Sequence, residues 1–105
     1  MDFQVKYSEQ GAQDLYNIIE YICDVLCNPA AAEHFYNEVN RRQQNISKNP
    51  FMYPVSRNAR QGAKGYRAAA IGNYLLFYII DEPATTAYIV RIVYGKRDLT
   101  TLLEG

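Results

Sequence analysis

The stretch from Tyr66 to Asp98 constrains the chain most, because it reads as three β-strands whose short polar connections make them antiparallel neighbours. Tyr66 to Ile71 is short and ends at Gly72-Asn73. Tyr74 to Asp81 is an apolar run that stops at Asp81-Glu82-Pro83, where proline removes a ladder donor and the acidic pair resists burial. Thr86 to Tyr94 is dense in β-branched and aromatic residues and breaks at Gly95, ahead of Lys96, Arg97 and Asp98. Strict alternation puts Leu76, Tyr78 and Ile80 on one face with Tyr88, Val90, Ile92 and Tyr94. It puts Leu75, Phe77 and Ile79 on the other with Ala87, Ile89, Arg91 and Val93. Both faces are apolar, so the second is either covered by the rest of the chain or kept for a partner.

Upstream, Phe3, Val5 and Tyr7 alternate with polar residues as in a half-buried strand, and from Glu9 the period changes. Ala12, Leu15, Ile19, Ile22 and Leu26 recur at helical spacing, so Glu9 to Leu26 is an amphipathic helix that Ser8 can cap. Asn28-Pro29 ends it and starts a second helix, to Lys48, with Ala32, Phe35, Val39 and Ile46 as its apolar stripe and Asn49-Pro50 as its stop. So short a connection makes a helical hairpin. Phe51 to Gly65 is irregular, and Leu99 to Leu103 offers a short C-terminal helix or tail capped by Asp98. The expected fold is α+β: a single domain over residues 1–105 in the order β-α-α-β-β-β, with the helical hairpin packed on an antiparallel sheet.

Length permits one core only. No apolar run approaches the ~18 to 20 residues of a membrane span, and the first residues lack a basic segment followed by an apolar one, so no membrane association and a cytoplasmic setting are expected. Net charge is zero but unevenly spread. Residues 1–40 hold seven acids against Lys6, and residues 41–67 hold Arg41, Arg42, Lys48, Arg57, Arg60, Lys64 and Arg67 with no acid. Such a basic segment either meets an anionic partner such as nucleic acid or is a solvated loop that offsets the acidic first helix. Cys23 and Cys27, four apart in a helical pattern, match no redox or zinc motif and read as buried structural thiols; His34 is the only histidine.

Residue types then exclude several chemistries. A Ser-His-Asp triad, a zinc hydrolase and a P-loop all lack their parts, and no metal or cofactor is expected. Arginine and tyrosine remain. Arg67, Arg91 and Arg97 lie on or beside the sheet with Tyr94 near the last, and if they converge they form a phosphate-binding cluster, with Arg57, Arg60, Lys64 and Lys96 as further substrate-binding cations. The alternative is that Arg91 pairs with a helix carboxylate and Tyr94 belongs to the core.

The residues also carry a family pattern. Phe3-Gln4-Val5-Lys6-Tyr7-Ser8 followed by Ala12-Gln13-Asp14-Leu15, then Tyr66-Arg67, then Asn73-Tyr74-Leu75-Leu76-Phe77-Tyr78 followed by Asp81, and above all Ile89-Val90-Arg91-Ile92-Val93-Tyr94-Gly95-Lys96-Arg97-Asp98-Leu99 resemble the RelE/ParE superfamily of type II toxins, plasmid stabilisation proteins among them. The resemblance implies a growth-inhibiting toxin held inactive by a cognate antitoxin that covers an apolar sheet face. RelE-like members cleave ribosome-bound mRNA; on that reading Arg67, Tyr94 and Arg97 are the catalytic residues. ParE-like members inhibit DNA gyrase without cleaving anything, and a third alternative is an inactive remnant that only binds antitoxin. Leu75 and Ala69 stand where the nucleases carry basic residues, and no tyrosine follows Arg97. The nuclease reading comes first by a narrow margin, because Arg67, Tyr94 and Arg97 suit anionic RNA.

Overall fold

The structure, a computed structural model, describes residues 2–56 and 65–95. Strand β1 (Gln4–Tyr7) leads into helix α1 (Glu9–Glu20), which a π-helical stretch (Tyr21–Val25) continues; helix α2 (Pro29–Lys48) returns antiparallel, and β2 (Arg67–Ile71), β3 (Tyr74–Asp81) and β4 (Thr86–Tyr94) complete a sheet of order β1-β4-β3-β2. The α+β class and element order are as expected, and β2, β3 and β4 are antiparallel neighbours. One strand departs from the antiparallel reading: β1 pairs parallel to β4, from Gln4↔Thr86 to Tyr7↔Ile89. The hairpin of helices brings the chain back before β2 begins, so β1 and β2 run the same way at opposite edges, and two reversals later β4 runs parallel to β1. Among the described residues no helix is long and apolar enough to cross a membrane.

Local chemistry accounts for the boundaries. Ser8 Oγ accepts from Gly11 N at 3.0 Å and Asn28 Oδ1 from Ala31 N at 3.1 Å, the two caps expected, with Pro29 in the first turn of α2. Gly72, at φ 58, supplies the left-handed first position of the two-residue turn between β2 and β3.

Two single-residue irregularities overturn parts of the periodic reading. Tyr21 to Val25 closes i→i+5 hydrogen bonds, Leu26 N to Tyr21 O at 3.0 Å, and the extra residue swings Leu26 off the apolar stripe. Leu26 is 54% exposed and Ala12 is exposed too, while Ile22, Ala32, Phe35, Val39 and Ile46 fill the core as expected. Cys27 then ends the helix at φ 51, which turns its thiol outward; it is exposed and Cys23 half-buried, so the pair is not the buried couple expected.

The second irregularity is a β-bulge in β4. Phe77 faces Arg91 and Tyr78 faces Ile89, leaving Val90 without a partner. The faces therefore exchange beyond it: Ala87 and Ile89, not Tyr88 and Val90, join Leu76, Tyr78 and Ile92 in the core beneath the helices. The opposite face is not left open. Phe77 is 1% exposed and Val93 6%, and the large apolar side chains exposed among the described residues lie on the helical hairpin and in residues 51–55 instead.

Tyr78 anchors the far end of this core. Its hydroxyl donates to Pro50 O at 2.6 Å. Burial pushes its phenol up to about 12, against the pull of the Arg67 charge. Tyr78→Phe leaves that carbonyl without its donor and is expected to cost about 1–3 kcal/mol in chemical denaturation at neutral pH. Because the folded phenol is the weaker acid, its contribution is complete below pH 10 and is lost as pH rises towards 12, so the loss between those values should be smaller in the variant.

Candidate functional site: the seam between α1 and β4

The β1 ladder stops at Tyr7↔Ile89, and α1 takes over the exposed edge of β4 from there. Ser8 N donates to Ile89 O at 2.9 Å and Ser8 Oγ to Val90 O at 3.2 Å. Gly11 lies so near that an added Cβ would stand 2.3 Å from Ile89 O. One turn on, Asp14, only 7% exposed, accepts Ile92 N at 3.0 Å, Arg91 Nε at 2.7 Å and Gln10 Nε2 at 2.9 Å. A carboxylate thus replaces a neighbouring strand at the edge of β4, and its charge is matched by Arg91.

Beyond Asp14 the helix and strand diverge around a cleft of about 690 Å³, lined by Asp14, Asn17, Ile18, Tyr21 and Leu26 on one side and Tyr74, Arg91, Ile92, Val93 and Tyr94 on the other. Tyr94 stacks edge-on against Tyr74, centroids 5.6 Å apart, and Tyr74 against Phe35 at 5.1 Å. The π-helical stretch is what lays Tyr21 and Leu26 along the rim, half exposed. Among the described residues the lining offers phenols, an amide and apolar surface, together with an ion pair already formed.

Of the site residues expected from sequence, Arg91 and Tyr94 come together in this cleft. Arg67 does not join them. It faces Tyr78, four residues along β3 from Tyr74 and two strands from Tyr94, about 16 Å away by strand geometry. Its Nη1 donates to Tyr53 O at 2.7 Å and to Phe51 O at 3.5 Å, and the guanidinium lies 5.2 Å from the centre of the Phe51 ring. By register Arg67 and Arg91 leave opposite faces of the sheet, since Tyr78 and Phe77 are successive residues. Arg57, Arg60, Lys64, Lys96 and Arg97 lie outside the described residues. Among the described residues no group of three His, Cys, Asp or Glu side chains could hold a metal.

Sequence reasoning missed Gly11 and Asp14, the residues that build the seam. Glycine inside a strong helical pattern was the available signal, since it costs about 1 kcal/mol relative to alanine unless close packing requires it. For Asp14 the alternative read from the sequence, that Arg91 pairs with a helix carboxylate, is what the structure shows, but nothing singled out Asp14 among the several acids on α1.

A family model described as the ParE toxin of the type II toxin-antitoxin system parDE matches residues 5–99. Among solved structures the chain is similar to one from the chromosomal ParDE toxin-antitoxin system of P. aeruginosa, with TM-score 0.69 and 16% identity, covering 90% of this chain and 97% of that one. It is also similar to a chain of the toxin-antitoxin complex RelBE2 from Mycobacterium tuberculosis, with TM-score 0.62 and 22% identity, over 90% and 92%. At these identities the two structures speak for the fold. Comparison with curated proteins gives no match.

Proposed function

This chain belongs to the ParE toxin family of type II toxin-antitoxin systems, and from that premise we propose that it arrests growth by binding DNA gyrase, with no bond-breaking chemistry of its own, while a cognate antitoxin holds it inactive. The observation that carries this reading is how the two described sheet arginines are used: Arg67 binds loop carbonyls at one end of the sheet and Arg91 binds Asp14 at the other. RNA cleavage through a 2′-hydroxyl needs convergent positive charge at one phosphate and a group to take the proton. Among the described residues the cleft lining has no histidine, and its one carboxylate already serves Ile92 N and Arg91. The antitoxin's footing moves with the closed sheet face: the exposed Tyr21 and Leu26 beside the cleft offer apolar surface that the sheet does not.

Ribosome-dependent mRNA cleavage is the second reading, and Tyr94 favours it, lying in the cleft one residue before Gly95-Lys96-Arg97. Induction without the antitoxin separates the two. DNA synthesis should fall before protein synthesis, purified gyrase should lose supercoiling activity, and primer extension should find no new 5′ ends within translated regions. A prompt fall in protein synthesis with such ends would transfer the assignment to the nuclease, and normal growth would remove both.

A further inference from the structure

We propose that the turn following α2, from Asn49 to Ser56, is a preformed docking surface for the toxin's target, and that its occupant is an acidic protein surface bearing apolar side chains; the proposal rests on the target-binding reading above. Phe51, Met52 and Val55 are 49%, 50% and 44% exposed there, a cluster that neither the core nor the cleft uses.

The backbone beneath this cluster is tied at nearly every step. Tyr78 Oη holds Pro50 O, and Arg67 holds Tyr53 O while lying against the Phe51 ring. Phe51 N donates to Asn49 Oδ1 at 3.2 Å and Met52 N to Asn49 O at 3.1 Å. Asn45 Nδ2 reaches Tyr53 Oη at 2.9 Å. Ala68 N donates to Pro54 O at 3.1 Å and Ser56 N to Tyr66 O at 2.8 Å, so Val55 is bridged to Arg67 as a fragment of added strand. Exposed apolar side chains on a loop ordinarily bring an ordering cost to binding, and here the fold has already met it. A turn held in one shape in this way suits a binding platform.

Charge selects the occupant. Lys48 is exposed beside the turn, Arg67 lies against the Phe51 ring, and the sequence from Arg41 to Arg67 contains no acid. Positive charge beside an apolar cluster fits an acidic protein surface. RNA fits less well, because of the three exposed apolar side chains Phe51 alone is a ring on which a base could stack, Met52 and Val55 being aliphatic. Position separates this surface from the cleft. The 20 residues of α2 span about 30 Å between the Tyr21 and Leu26 rim and Lys48, so a partner seated at the cleft leaves the turn uncovered.

The test is the full-length double variant Phe51→Ser/Met52→Ser, with Met52→Glu as a second variant that leaves Phe51 on Arg67. Melting temperature and co-purification with the antitoxin should match wild type, growth arrest on induction should be lost, and the concentration that half-inhibits purified gyrase should rise about tenfold or more, as for a central aromatic anchor. Inhibition by wild type should also weaken from about 50 to 300 mM salt. Undiminished growth arrest in a folded variant overturns the proposal. So does loss of binding to a single-stranded RNA oligonucleotide that wild type binds, since the occupant would then be nucleic acid. If wild type leaves gyrase untouched yet both variants lose growth arrest while folded, the gyrase reading fails and the docking surface stands.

Discussion

Gly11→Ala is expected to lower the melting temperature by roughly 12–24 °C, although it replaces a poor helix former with the best one. In an open helix the exchange gains about 1 kcal/mol. Here the new methyl would stand 2.3 Å from Ile89 O, and the obstruction is strand backbone, which cannot rotate away. To relieve it α1 must lift from β4, stretching Ser8 N to Ile89 O and Asp14 to Ile92 N together. Overpacking of this kind costs about 3 kcal/mol, and at this chain length each kcal/mol is worth about 4–8 °C. The control is the neighbour: Ala12 is exposed, so Ala12→Gly should lose only about 1 kcal/mol. Thermal denaturation of the two variants decides the matter, and a Gly11→Ala protein as stable as wild type would mean that α1 does not sit on the edge of β4.

Asp14→Ala should cost about 3–5 kcal/mol, the loss expected when one member of a buried ion pair is removed. Two demands are left by that truncation: Arg91, at 21% side-chain exposure, loses the carboxylate that matches its charge, and Ile92 N loses its acceptor at the strand edge. Asp14→Asn separates them, because the amide oxygen can still accept from Ile92 N while the charge is gone. It should fall between alanine and wild type, by urea titration, with unchanged m-value. Equal losses in the two variants would assign the whole effect to charge, and no loss in either would show that the seam holds without its carboxylate.

The elements were legible in the chain because their signals are local. Ser8 and Asn28 cap the helices that periodicity indicates, Gly72 turns the hairpin, and Val39 and Ile46 lie on the stripe that faces the sheet. What escaped reading depends on partners distant in sequence. Gly11 and Asp14 acquire their roles from Ile89, Arg91 and Ile92, more than 70 residues away, and nothing beside them indicates it. The bulge at Val90 and the π-helical stretch each insert one residue into a regular period, which preserves composition while moving neighbours across it: Ala87 and Ile89, before the bulge, go into the core, and Leu26, after the π-helical stretch, goes out of it. The site was legible only in part. Arg91 and Tyr94 share a cleft because they share a strand end, whereas Arg67, basic like Arg91 and also on a strand, is separated from them by register and by the carbonyls it binds.

The parallel pairing of β1 with β4 has a consequence in time. β4 is a central strand, flanked by β1 and β3, and it is the last of the described strands to be synthesised. Until residues 86–94 have left the ribosome, β1 and the Asp14 end of α1 have nothing to pair with, so the helical hairpin waits on the nascent chain with its apolar side uncovered. At about 5–20 residues per second, the interval from β1 to β4 occupies roughly 5–20 s of translation. Throughout that interval the chain lacks its cleft, whose far wall is β4, and a ribosome can make this toxin without yet carrying a finished one.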